Sequence, residues 1–182
     1  MGLELIKSEF SIKNKRIETR AYDSQTNALI IIEYNKDKNV RIVDQGFTYL
    51  SLMLENKADF IVEYNESLKR QLKRNDVDWS QTRVVFVSTS FTENQKLATN
   101  FKDIAIELWE VKRFDNNTVS IAPIRKSKSA ESIKPITEQN KKLKAVQEEI
   151  KVYTEEEHLI KPTDKIRELY ETLRDRICQL TS

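Results

Sequence analysis

Apolar residues follow two periods along this chain. Leu3 to Phe10 alternates in part, and Leu29-Ile30-Ile31-Ile32 is a continuous β-branched run preceded by the turn formers Asp23-Ser24-Gln25-Thr26-Asn27. Arg83 to Ser88 reads RVVFVS, and Ile104, Ile106 and Leu108 alternate against Trp109 and Val111. These patterns predict strands, and a continuous apolar run implies burial on both faces. Arg16 to Tyr22 is long enough to pair with the Ile30 run. Thr118 to Ile124 closes a second hairpin after Asp115-Asn116-Asn117. Between the strands the period lengthens. Asn39 is a plausible cap for a helix whose stripe is Val40, Val43, Phe47, Leu50 and Leu54. Phe60, Ile61, Tyr64, Leu68 and Leu72 predict a second helix. Ser90 with Glu93 makes a capping box for a third, running to about Phe101. Strands alternating with helices, then a hairpin, define an α/β domain with a mixed sheet.

The pattern changes at Arg125. Residues 1–124 form the predicted domain. Residues 125–163, rich in Lys, Glu, Ser and Gln, read as a charged linker or loosely ordered arm, with a helix expected between Asn140 and Lys151. Thr163 caps a last helix over 164–182, whose stripe is Ile166, Leu169, Tyr170, Leu173, Ile177 and Leu180. Burying each of six apolar side chains contributes roughly 1.5–3 kcal/mol. Ordering the helix costs on the order of 1–2 kcal/mol per residue. These totals are comparable, so the helix is expected to form when docked. A homodimer through this C-terminal helix, packed on its counterpart or on the partner's sheet domain, is the expected assembly.

Composition narrows the function classes. The 182 residues carry 31 basic and 29 acidic side chains. Residues 125–182 hold 13 and 11 of them, which leaves 18 of each in the core domain. A neutral core disfavours strong non-specific DNA binding, although Arg16, Arg20, Lys36, Lys38 and Arg41 cluster around the first hairpin. No apolar run has membrane-spanning length, and no partner membrane is expected. The single Cys178 cannot form an internal disulfide and fits a reducing cytoplasm. One Cys and one His, His158, do not make a structural zinc site.

The candidate chemistry lies in the first hairpin. If Asp23 and Ala28 close it, Glu18 falls opposite Glu33, and Asn35 shares the face of Glu33. Opposed carboxylates repel. Arg16 or Arg20, a shared proton or a divalent cation would have to offset this; the alternative is a solvated face of ordinary cross-strand pairs. Gln45 and Tyr49, four apart, share a flank of the following helix, where they can bind a base edge or phosphate or merely line it. Trp79 in the loop 75–80 reads as an aromatic plug under the sheet more readily than as a base-stacking platform.

The order of an acid, a hairpin, Glu-x-Asn-Lys at 33–36 and a helix with Gln-x-x-x-Tyr at 45–49 resembles the PD-(D/E)XK nuclease superfamily. Phrases such as RIETRAYD, IIEYNKDKN, YLSLMLENKADFIVEYN and DVDWSQTRVVFVS resemble a bacterial family of uncharacterised proteins often labelled "predicted transport protein". The resemblance implies a restriction-endonuclease-like mixed sheet flanked by helices, followed by a helical arm that opens a second, C-terminal domain. It implies Mg²⁺ between Glu18 and Glu33, water oriented by Asn35 or Lys36, and DNA held by Gln45, Tyr49, Arg16 and Lys38. Two positions depart from the pattern. Glu18 stands where the family has Asp. Asn35 stands where it has Lys, so the cation that would orient water is missing unless a bulge brings Lys36 round. The leading helix of the family, which can carry a further acid, is not expected here, since the sequence begins at Met1-Gly2-Leu3-Glu4. The implied function is a nuclease-fold protein acting on DNA with weakened phosphodiester hydrolysis. The alternative is a non-catalytic nucleic-acid-binding or protein-interaction module on the same scaffold.

Overall fold

A computed structural model gives the fold, and it describes residues 2–12, 15–35, 41–153, 155–160 and 162–180. The chain divides into two units, 1–152 and 153–182, each considered by itself. In the first, six strands form one mixed sheet in sequential order: β1 (Glu4–Ile12), β2 (Lys15–Asp23), β3 (Ala28–Tyr34), β4 (Arg83–Ser88), β5 (Ile106–Arg113) and β6 (Val119–Pro123). The central β3, β4 and β5 run parallel, while β1–β2, β2–β3 and β5–β6 are antiparallel. The first hairpin closes at Asp23↔Ala28, as the turn chemistry predicts. Asn27 takes φ +52°, a left-handed conformation that Asn tolerates, and Asp23 Oδ1 accepts the Gln25 N–H at 3.0 Å.

Helices α1 (Ile42–Glu55) and α2 (Lys57–Leu68) connect β3 to β4, and α3 (Glu93–Ala98) connects β4 to β5. Alternate strand residues, among them Ile31, Val84, Phe86 and Ile106, enter one core with Phe47, Leu50 and Met53 of α1 and Phe60 of α2. Gly46 lets α1 sit close on β5, since a Cβ there would overlap the Ile106 side chain. The opposite face of the sheet buries a smaller cluster of Ala21, Ile30, Ile32 and Val85, edged by Leu3, Val87 and Trp109. The Ile30 run is therefore buried on both faces, as its composition predicts.

Several boundaries differ from the sequence expectation. Helix α3 is capped by Thr92 with Gln95, not by Ser90 with Glu93. Both bonds of the Thr92 box form, at 3.2 and 3.0 Å, and Phe91 just before it is buried in the core. Helix α2 stops at Leu68, short of Leu72. Lys69 turns left-handed at φ +52°, and the Asn65 side chain binds both the N–H and the C=O of Leu72. Trp79 is partly buried against the core, with the Lys57 ammonium 5.2 Å from its ring centre. This is the plug rather than the stacking platform.

The expected linker 125–163 is, as far as Val152, part of the folded unit. Helices α4 (Lys134–Thr137) and α5 (Lys141–Glu149) lie here, and Ile133, Val146 and Ile150 are buried in the main core. The predicted helix with its Leu143, Val146 and Ile150 stripe is α5, and Asn140 caps it. Composition misleads here because a few well-spaced apolar residues suffice to dock a charged strap. Polar anchors complete the docking. The Asp103 carboxylate accepts the Ile133 N–H at 2.8 Å and the Ser132 hydroxyl, the Gln147 amide donates to the Asp103 carbonyl at 2.7 Å, and Lys57 pairs with Glu149. The second unit contains α6 (Glu155–His158) and α7 (Asp164–Leu180). Of the α7 stripe, Ile166, Leu169, Leu173 and Ile177 are exposed, Leu169 at 69% and Leu173 at 56%. Among the described residues no helix is long and apolar enough to cross a membrane.

Candidate functional site

The β2–β3 ladder is paired through Thr19↔Ile32 and goes no further. One more step in that register sets Glu18 opposite Glu33. The pairing stops here because each acid takes a backbone donor of the other strand. Glu18 Oε2 accepts the Tyr34 N–H at 2.6 Å, and the Glu18 N–H in turn favours the Glu33 carboxylate. On its other edge β3 stays regular. Its register with β4 has no shift, and the Asn35 N–H continues it to the Val87 carbonyl at 2.8 Å. Glu33 and Asn35 therefore share the face of Ile31, under α1, and each is only 8% exposed. No bulge occurs before this point, and Lys36 and Lys38 lie outside the described residues.

Helix α1 supplies the roof. Gln45 and Tyr49, one turn apart, are hydrogen bonded: Gln45 Nε2 donates to the Tyr49 hydroxyl at 3.1 Å. That hydroxyl donates to the Arg16 carbonyl at 3.2 Å, and the ring is buried at 5% exposure. Tyr49 thus ties α1 to β2 and lines the roof beside Glu33, rather than standing free at the surface. Burial raises its pKa, the Gln45 bond opposes this, and the charges of Glu33 and Glu18 add to the rise.

Glu33 is the unusual group. Burial pushes its carboxyl up to about 7, and the Glu18 charge pushes the same way. The Tyr49 hydroxyl, the Glu18 N–H and the Arg16 charge pull it back. Its Oε2 is buried without a hydrogen-bond partner. Of the two arginines considered from sequence, Arg16 bears on the pair, while its exposed guanidinium is bound to Glu9 at 2.6 Å. Arg20 is directed elsewhere. At 1% exposure it lies 3.4 Å from Glu63 and stacks on Phe60 of α2. Among the described residues no three His, Cys, Asp or Glu side chains gather around one point. The site is a pair of carboxylates with an amide beside it.

Sequence reasoning missed two features. One is the exchange of backbone donors between the acids, which depends on where the ladder ends rather than on residue type. The other is an open groove of about 610 Å³ between α1 and α4–α5, walled by Phe47, Leu52, Ile133, Ile136 and Leu143. The spacing of the apolar residues from Ile133 to Ile150 was its only sequence signal.

Comparison with known proteins gives one informative match. A protein of Haemophilus influenzae described as "Uncharacterized protein" is 55% identical over 179 residues. The alignment takes in 98% of this chain, which spans 59% of the length of that bacterial relative. No family model matches the chain. No solved structure matches it either.

Proposed function

We propose that the sheet domain is a nuclease-fold domain whose Glu18–Glu33 pair holds a divalent cation against a nucleic-acid phosphodiester in the cytoplasm, with DNA the favoured substrate and hydrolysis weakened at Asn35. The observation that carries this reading is Glu33: a buried carboxyl with one unpartnered oxygen, facing a second acid, at the end of a buried strand. That arrangement costs stability unless a proton or a cation joins the pair. The donor set fits Mg²⁺, which is content with one or two carboxylates and keeps its remaining sites for water and phosphate oxygens. When bound, such an ion activates water and shields the scissile phosphate. The chain's own part is positional. Glu18 is fixed by the Tyr34 N–H, and Glu33 by burial under Tyr49. Asn35 can orient a water by hydrogen bonding but offers no positive charge to the developing phosphorane. In this reading Arg16 and Gln45 meet the nucleic-acid backbone on leaving their bonds to Glu9 and Tyr49, while the Tyr49 hydroxyl is spent inside the fold. That last fact also favours a second reading, a nuclease fold that binds nucleic acid without cutting it. The protein acts as a homodimer joined through α7. The test is calorimetric titration of Mg²⁺ and Mn²⁺ into wild type and Glu33→Gln, alongside cleavage of single- and double-stranded DNA. Metal binding by wild type that Glu33→Gln abolishes is expected. Equal binding by both proteins refutes the site.

A further inference from the structure

We infer that the groove between α1 and α4–α5 receives α7 of a second copy of this chain. The inference rests on the dimer reading above and names its surface. Helix α7 is amphipathic in a particular way. At about 100° per residue, the stripe Ile166, Leu169, Tyr170, Leu173 and Ile177 is flanked on one side by Lys165 and Arg176 and on the other by Arg167 and Arg174. Glu168 and Asp175 stand at the back of the helix. Packing one such stripe on another sets basic flanks against basic flanks in either helix direction, which opposes α7-on-α7 pairing. The helix calls instead for an apolar trough with an acidic rim.

The groove offers an apolar trough with an acidic rim along α1. Its apolar wall includes Ile136, still 61% exposed, and Leu143. Asp44 and Glu55 stand on the exposed α1 rim near its two ends. They are eleven residues apart on α1, and Lys165 and Arg176 are eleven apart on α7. Each pair therefore spans about 16 Å along its helix, and the match holds in either direction. Lys142 is on the opposite wall, where Glu171, round from the Arg167 flank, is the acid to meet it. The mode is a helix laid in a groove with anchors at i, i+3, i+4, i+7 and i+11.

Charge reversal on the full chain tests this by sedimentation equilibrium. Asp44→Lys/Glu55→Lys should weaken the dimer about tenfold or more, on the order of 1.4 kcal/mol. Lys165→Glu/Arg176→Glu should weaken it similarly, and the four changes together should restore it. All positions are exposed, so circular dichroism should report unchanged folding. A dimer indifferent to the α1 reversals overturns the groove but leaves the dimer reading intact. A wild-type chain that stays monomeric at high micromolar concentration overturns both, and so does a monomer whose α7 is protected from hydrogen exchange, since α7 would then dock within its own chain. Binding of the full chain to phosphatidylserine vesicles that Leu169→Asp/Leu173→Asp abolishes and the α1 reversals leave unchanged also overturns the groove, by assigning the stripe to a lipid surface.

Discussion

Replacing Glu33 by Gln should remove a pH dependence that this one carboxyl imposes on the fold. Glu33 titrates near 4.5 in an unfolded chain and at about 7 in the fold. A factor of ten in proton affinity is worth 1.36 kcal/mol, so ionising Glu33 inside the domain costs roughly 3 kcal/mol more than ionising it outside. The folded pKa is raised, so its favourable contribution is complete below about pH 4.5. It is lost as pH rises towards 7 and is absent above. Asp23 and Glu63 have the opposite sign: Arg83 and the Gln25 N–H hold the first below its ordinary value, and Lys7 and Ser67 hold the second, each against burial. Their stability is present above the ordinary carboxylate range and is lost only in acid, so the two effects occupy separate windows.

Urea denaturation between pH 4.5 and 9 reads the difference. Glu33→Gln should match wild type near pH 4.5 and exceed it by up to about 3 kcal/mol at pH 8. Glu18→Gln should move the wild-type inflection down without abolishing it, because burial, the larger cause, remains. A divalent ion at ten times its dissociation constant should return about 1.4 kcal/mol to wild type at pH 8 and nothing to Glu33→Gln. Parallel pH profiles for wild type and Glu33→Gln would refute the assignment of a raised pKa. Equal stabilisation of both by Mg²⁺ would place the cation elsewhere.

Wild type should cleave DNA weakly or not at all with Mg²⁺ or Mn²⁺, and Asn35→Lys should raise the rate; cleavage by wild type that survives Glu33→Ala refutes the site. Tyr49→Phe should cost about 1 kcal/mol by removing the tie to the Arg16 carbonyl, read as a lower urea midpoint with an unchanged m-value. A chain ending at Val152 should retain the cooperative unfolding of the sheet domain. One ending at Ile124 should be markedly less stable, since it strips Ile133, Val146 and Ile150 from the core. Gly46→Ala should destabilise by more than its helix propensity would gain, because the added methyl meets Ile106.

Much of the sheet domain was legible because its local signals agree. The Asp23 to Asn27 turn chemistry, the β-branched run behind it and the acid spacing all demand one register, and the Asp23↔Ala28 closure delivers it. Helix ends were less legible, since Ser90–Glu93 and Thr92–Gln95 both satisfy the capping pattern and only the burial of Phe91 selects between them. The strap 125–152 was misread because mean composition hides position. Apart from Lys126, which donates to the Ile104 carbonyl, its charges largely face water, and its three deepest apolar residues are thinly spread. At the site, spacing could place Glu18, Glu33 and Asn35 together. It could not reveal that Tyr49 would also be engaged by the Arg16 carbonyl, seventeen positions before the Glu33 carboxyl it lies beside.

The acid pair has a structural role, and the proposed chemical role would carry a different signature. As structure, each carboxylate caps a donor where the ladder ends, so removing either leaves a backbone N–H short of a partner. That role needs only an acceptor, and Gln in place of Glu serves it. As chemistry, the pair must share something positive, because a buried carboxyl beside a second acid is unfavourable when both are ionised. A shared proton satisfies this below pH 7 and fails above it; a cation satisfies it at any pH where the carboxyls ionise. If the proton alone is the device, Mg²⁺ has no effect at pH 8 and the site is a passive end-cap. If the cation is, metal affinity rises about tenfold per pH unit towards pH 7, as the competing proton leaves Glu33, and levels off beyond. Isothermal titration of Mn²⁺ at pH 6, 7 and 8 separates the two, with a slope of zero across that range sinking the cation site.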